Sequence, residues 1–276
     1  MSAVAEELTK DEKLYRIRHG LAHVMAQAVL EMFPEGKIAI GPPIENGFYY
    51  DFELPRSLSD DDLKAIEKRM KNILKKRHTF EYRELSAAEA KELFKDQPYK
   101  VELIEELEKK DDGTIISTYK HDTFEDLCKG PHVENLGQIG AKAFKLLSVA
   151  GAYWRGDENK AQLQRIYGTA WETPEELQEH LTLLEEAKKR DHRRLGRELD
   201  LFSSEAEEMG TGLILWHPRG GLMKHLIETF YREVHLDNGY DLISTPHIGR
   251  ANLWETSGHL GFYRDGMYSP MDIDGQ

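Results

Sequence analysis

Cysteine is nearly missing from this chain: its 276 residues include one, Cys128, so no disulfide can form within it. No run of about 18 apolar residues occurs, so no helix of the chain is expected to cross a membrane. Residues Met1 to Lys10 lack the basic start and apolar stretch of a secretory leader. Repeats and low-complexity stretches are absent as well. Together these absences lead to the expectation of a cytoplasmic protein with no membrane partner, in which Cys128 is a free thiol or a ligand. Positive charge is also in deficit: 37 Lys and Arg stand against 50 Asp and Glu, a net charge of −13. Such a balance argues against indiscriminate binding to nucleic acid. The bases are clustered, however, at Lys64, Lys68, Arg69, Lys71, Lys75, Lys76 and Arg77, and again at Lys188, Lys189, Arg190, Arg193, Arg194 and Arg197. Two solvated helix faces would explain these runs; local contacts to RNA phosphates would too.

Hydrophobic residues make up 39% and charged residues 32%, the balance of an ordinary globular chain long enough for one large or two smaller domains. Thr9-x-x-Glu12 forms a capping box, and Leu14, Ile17, Leu21, Val24 and Ala28 follow at helical spacing. The pattern predicts a helix from about Thr9 to Phe33, ended by Pro34 and Gly36. Ile38 to Ile40 and Phe48 to Phe52 read as two strands of a hairpin around Asn46-Gly47. Ser59 caps a second helix to about Arg77, and Ser86-x-x-Glu89 caps a short one that stops near Gln97-Pro98. Asp111-Asp112-Gly113 reads as a turn, Thr114 to Tyr119 and Leu163 to Tyr167 as strands, and Cys128 to His132 as a tight loop. Helices and antiparallel strands without regular strand–helix–strand alternation predict an α+β domain over residues 1–170. Thr173-Pro174 starts a connector helix over 171–194. A further segment, 195–276, contains a helix from Gly221 to Asp237 and an extended stretch from Tyr240 to Ile248.

Two pairs of residues carry the chemistry. His19-x-x-x-His23 puts two imidazoles on one helix face, one turn apart. Cys128-x-x-x-His132 adds a thiol and a third imidazole from a Gly-Pro bend. Brought together, the four either hold a tetrahedral zinc ion or organise a water for hydrolysis without metal. Gly20 stands where a His-Glu-x-x-His peptidase has its glutamate, and no Cys-x-x-Cys arm of a zinc finger exists. A closed shell of four ligands would leave no position for a reacting water, which points to a structural ion or to three ligands plus water.

Several segments resemble bacterial threonyl-tRNA synthetases: Ala39 to Pro42, Asn46 to Asp51, Cys128 to His132, Gly151 to Asp157, Arg165 to Trp171 and Lys189 to Arg193. The resemblance runs from about Arg18 to the last residue, with the segments in the family's order. A related constellation occurs in the editing domains of alanyl-tRNA synthetases. The resemblance implies that 1–170 is an editing domain that hydrolyses seryl-tRNA made in error on threonine-specific tRNA. It implies that His19, His23, Lys100, Asp126, Cys128 and His132 line the catalytic site. In that assignment His19 activates the water, Lys100 opposes negative charge and Asp126 binds the α-ammonium. Tyr50 matches a position that lines the family's pocket. Tyr50, Tyr153, Trp154 and Arg155 either stack on or contact the terminal adenosine or simply pack as aromatics and an ion pair, with packing the favoured reading for Trp154. Editing domains of this kind are thought to work without a metal, so no cofactor is expected to be required, with zinc at the four-residue cluster the alternative.

Gly239 to Pro246 resembles the first class II synthetase motif, part of a homodimer interface in the full-length family. The family's N-terminal ubiquitin-like domain has no counterpart here. The chain also stops before the motifs whose arginines bind ATP, before the zinc ligands of the aminoacylation site and before the anticodon-binding domain. The expectation is therefore a piece of a threonine–tRNA ligase, in which ATP, Mg and catalytic-domain zinc belong to the full-length enzyme only. Two rivals stand beside it: a freestanding deacylase acting in trans, and a non-catalytic, zinc-stabilised tRNA-binding module. Mixed with threonine, ATP and tRNA, the chain is expected to form no aminoacyl-tRNA; appreciable charging in a filter-binding assay would overturn that expectation.

Overall fold

The computed structural model describes residues 8–110, 115–204, 210 and 212–272. The turn at Asp111 to Gly113 and the start of the strand expected at Thr114 lie outside them. Two compact units emerge, 1–188 and 189–276.

The first unit is built on α1 (Lys10–Met32), whose N-cap Thr9 and Glu12 exchange both bonds of the capping box. The helix is buried along almost its whole central length, from Ile17 to Val29. Three short strands follow: β1 (Lys37–Ile38), β2 (Pro43–Ile44) and β3 (Gly47–Glu53). The first two both pair antiparallel with β3, so the expected hairpin is real but split at Gly41-Pro42. Next come α2 (Asp60–Lys75), capped by Ser59 and Asp62, then β4 (Glu81–Leu85) and α3 (Ala87–Leu93), capped by Ser86 and Glu89. After α4 (Pro98–Lys110) the chain forms β5 (Ile116–His121) and β6 (Phe124–Leu127), and then β7 (Phe144–Tyr153) and β8 (Gln162–Ala170). All pairings are antiparallel. One sheet runs β1-β3-β8-β7 with β2 on the edge of β3, and a second runs β4-β5-β6. The mixture of helices and antiparallel strands is the expected α+β architecture.

The core lies between α1, α2 and the larger sheet, where Leu21, Val24 and Met25 meet Phe48, Phe52, Ile66, Met70 and Ile166. Gly168 makes room for this packing: a Cβ there would stand 2.5 Å from the Phe48 ring. Each fully buried side chain of this size stabilises the fold by roughly 1.5–3 kcal/mol, against about 0–1 kcal/mol for an exposed ion pair. The apolar core, not the many surface pairs, therefore holds the unit. Those pairs do account for much of the first basic run: Lys64, Arg69, Lys71 and Lys76 face Asp61, Glu31, Glu67 and Asp122.

The expected connector is two helices rather than one. α5 (Pro174–Lys189) ends where Asp191 caps α6 (His192–Glu198) through the backbone N–H groups of Arg193 and Arg194. The short side chain of an aspartate competes for those donors better than a continuing helix does. In the second unit β9 (Phe202–Ser203) pairs with β10 (Leu215–Trp216), and α7 (Pro218–Asp237) follows with proline in its first turn. Tyr240 to Ile248 has no ladder partner among the described residues, and α8 (Ala251–Thr256) and α9 (His259–Phe262) are short. Leu222, Leu226, Ile227 and Phe230 of α7 are all at least 60% exposed, so this unit has little apolar burial to hold it. Amide exchange of the monomer is expected to be fast across Leu213 to Met271 and slow in α1 and β8; uniform protection would contradict this.

Candidate functional site

Period-2 alternation across the β5–β6 hairpin builds one wall of the site. Tyr119 pairs with Asp126 and His121 with Phe124, so these side chains share a face that continues to Cys128. Cys128 is fastened to β5 by its N–H to the Ser117 carbonyl, while the Ser117 hydroxyl donates to the Cys128 carbonyl. Beyond it Gly130 takes φ 67°, and a Cβ there would stand 2.6 Å from the Tyr119 hydroxyl, so glycine is required at the bend. The bend returns His132 toward Cys128. The opposite wall is α1, whose helical period presents His19 and His23 one turn apart.

The four side chains converge, with His19 and His23 on one helix face as their spacing predicts. Cys128 Sγ lies 3.1 Å from His19 Nε2 and 3.2 Å from His132 Nε2. The His19 ring centre is 4.1 Å from that of His132 and 5.4 Å from that of His23. His19 Nδ1 lies 3.2 Å from the Pro131 carbonyl oxygen, which makes it the N–H nitrogen and leaves the lone pair on Nε2. The Gly130 N–H donates to the Cys128 sulfur at 3.2 Å. Burial holds these groups neutral: it pushes the Cys128 thiol up to about 12, His132 down to about 2, and His23 well below the usual imidazole range.

Beside the cluster sits a buried ionic knot. Lys100 Nζ, from the first turn of α4, lies 2.6 Å from Asp126 Oδ1. The Tyr50 hydroxyl donates to Asp126 Oδ2 at 2.6 Å, and His23 Nε2 stands 4.0 Å from that same oxygen. All of these side chains are at most 4% exposed. Catalytic-site residues expected from the sequence thus meet around Asp126, with Tyr50 from β3 among them. Tyr153 and Arg155 are placed differently. Tyr153 ends β7 with its ring 45% exposed, and Arg155 pairs with Glu102 and Glu106 of α4. Trp154 is buried against Tyr99 and donates to Glu102. Three ring neighbours went unnoticed in the sequence: Phe80 stacks on His132 at 4.4 Å, Tyr119 meets it at 4.6 Å, and Tyr15 meets His19 edge-on. Alternation back from Cys128 and Asp126 would have found Tyr119; nothing in the sequence marks Phe80.

His19, His23, Cys128 and His132 each offer one ligand atom, all within 4.8 Å of one another, and could hold a metal ion. Zn–N and Zn–S bond lengths place tetrahedral ligand atoms roughly 3.3–3.8 Å apart, so the 3.1 and 3.2 Å contacts would open and the wider separations, up to 4.8 Å, would close around that ion. The neutral imidazoles and the Pro131 carbonyl behind His19 are the donor set and outer support such an ion needs.

Residues 116–167 match the family model described as the threonyl and alanyl tRNA synthetase second additional domain. The chain is 54% identical over 271 residues to a threonine–tRNA ligase of Borrelia turicatae (strain 91E135), covering 98% of this chain and 46% of that protein. The corresponding proteins of Borreliella burgdorferi (strain ZS7) and Borrelia hermsii (strain HS1 / DAH) are 53% and 54% identical over the same share. The chain thus spans about half the length of the curated relatives it matches. No helix among the described residues is long and apolar enough to cross a membrane.

Neutral buried histidines make stability depend on acid. His121, held down to about 4 by burial, binds a proton in the unfolded chain near 6.5 but not in the folded one until about 4. Stability is therefore complete above pH 6.5 and falls as pH drops toward 4, by about 1.4 kcal/mol per pH unit for each such group. Urea midpoints of the first unit, measured in chelator from pH 7.5 to 4.5, are expected to decline over that window; a flat profile would refute the neutral assignment. Over 98% of its length the chain is thus similar to threonine–tRNA ligases, and residues 116–167 match a domain model shared by threonyl and alanyl tRNA synthetases.

Proposed function

We propose that this chain carries the hydrolytic editing site of a threonine–tRNA ligase and removes serine from threonine-specific tRNA. The observation that carries this reading is the meeting of His19, His23, Cys128 and His132 beside the Asp126–Lys100–Tyr50 knot. The need for such a site is energetic. Serine differs from threonine by one methyl, worth roughly 1–3 kcal/mol in a pocket, too little for accurate charging. A second site that admits serine and excludes threonine by size supplies the rest.

Hydrolysis needs an oriented water, a proton acceptor and a charge to oppose the oxyanion. His19 serves as acceptor, because its Nδ1 is committed to Pro131 and its Nε2 lone pair faces the cluster. Cys128 and His132 fix that ring by packing and by the sulfur contact. Lys100 supplies positive charge to the carbonyl oxygen, and Asp126 receives the α-ammonium of the seryl group. Tyr50 holds Asp126 in place from beneath. Tyr153 offers an exposed ring to the terminal adenosine, with Arg155 next to it. If zinc were bound, three of His19, His23, Cys128 and His132 would hold it beside a water, and it would supply Lewis acidity and a more acidic water; all four together would close the shell around a structural ion. The same reading carries a cytoplasmic location, tRNA as partner and, in the full-length ligase that uses ATP, homodimerisation through the second unit.

Deacylation of serine-charged against threonine-charged tRNA tests this reading. The chain is expected to release serine and spare threonine. His19→Ala should slow release by at least about 100-fold, the scale of a lost general base, and Cys128→Ala by less. The wild-type rate is expected to survive dialysis against a chelator; a loss restored by zinc would move the activation of water to a metal. Equal release of both amino acids, or an unaffected His19→Ala variant, would end the editing proposal.

A further inference from the structure

Among the described residues, six buried side-chain N or O atoms have no protein hydrogen-bond partner. Five of them belong to four side chains in or behind the site: His132 Nδ1, His23 Nδ1, both ring nitrogens of His121, and Gln27 Oε1. Leaving such a group bare is costly, and natural interiors meet the need with ordered water, typically with about three bonds to each water. The atoms are also continuous in space. His23 lies 4.5 Å from His132 and 6.3 Å from His121, ring centre to ring centre. Gln27 stands one helical turn after His23, and its amide donates to Asp122 and Thr123, the two residues that follow His121. Phe80 and Phe124 pack against the His121 ring. Asp122 then reaches the surface, where it meets Lys76 at 2.9 Å and His78 at 3.5 Å, both of them more than a third exposed. A polar line thus leads from the back of the cluster to the outside, away from the Tyr15 side of His19.

We propose that His121, His23 Nδ1 and Gln27 Oε1 hold ordered water behind the site, and that this water conducts the proton released by ester hydrolysis to Asp122. This rests on the hydrolytic reading of the site. The reaction sets the demand: the water oxygen bonds to the acyl carbon, and the bond from that carbon to the ribose oxygen breaks. One hydrogen of the water ends on the ribose hydroxyl, and the other leaves as a proton when the free serine carboxyl ionises. With the 3′ end of a tRNA covering the front, a rear path lets that proton go. His121 is a positioning residue here: one ring nitrogen donates to water and the other accepts from it, and it does not touch the substrate.

Three measurements decide this. A crystal structure of the wild-type chain is expected to show ordered water within hydrogen-bond distance of His121 and His23 Nδ1; a dry contact would overturn the proposal. His121→Phe is expected to lower kcat on seryl-tRNA roughly 10–100-fold, the range for lost outer support, with KM within about twofold. His121→Gln, which keeps a donor and an acceptor, should retain most of the rate. Wild-type kcat in His121→Phe, or a Gln variant as slow as Phe, would refute the role of His121 and leave the editing reading standing. A wild-type chain that releases no serine would instead remove the editing reading, and the proton path with it.

Discussion

The carboxylate of Asp126 is the interaction on which the site depends. It is buried, and a buried charge persists only when it is paired and hydrogen-bonded. Lys100 neutralises one oxygen and Tyr50 donates to the other, while its own Oδ1 also accepts from the Leu127 N–H. Those partners come from α4, from β3 and from β6 itself, so one group ties the small sheet, the large sheet and a helix together. Removing Lys100 leaves charge without compensation and removing Tyr50 leaves an oxygen without its donor, which ties the parts of the site to the fold. The four-residue cluster next to it is held differently, by neutral rings and a thiol packed edge to edge. Chemistry therefore rests on a charged half that fixes geometry and a neutral half that keeps lone pairs.

How much of this was legible depends on whether the signal was local. The capping box at Thr9 and Glu12, with apolar residues at helical spacing, located α1 within one residue at each end and placed His19 and His23 on one face. The Gly-Pro bend between Cys128 and His132 was equally plain. By contrast α4 was missed because Pro98 reads as a stop, whereas it occupies the first turn, where its absent N–H costs nothing. Lys100 was found only through resemblance, never through a helix that would carry it. The strands β4, β6 and β7 also escaped, since their pairing partners lie in distant segments and not in the stretch itself.

Arg155 shows what a local pattern leaves out. An arginine next to Tyr153 and Trp154 in a glycine-rich stretch looks like a stacking platform for a nucleotide. No local pattern reveals that Glu102 and Glu106 stand opposite on α4 and engage it. Tyr50 is similar: its hydrogen bond to a buried carboxylate is visible only once Asp126 is seen across the interior. The single connector helix failed for a local reason that could have been read, because Asp191 is a strong capping residue followed by two donors it satisfies.

The residue before His19 has one more consequence. Arg18 donates from Nε to the carbonyl of Ala170, the last residue of β8, and from Nη1 to that of Glu45, and its guanidinium lies 5.3 Å over the Trp171 ring. Lys10, at the other end of the same stretch of α1, is bonded to Glu176 in the first turn of α5. The helix that bears His19 is thus bolted at two points to the root of α5. Mechanical load on α5 enters the domain one residue away from His19, so a tug on that helix and a shift of the His19 ring are wired to the same bolt.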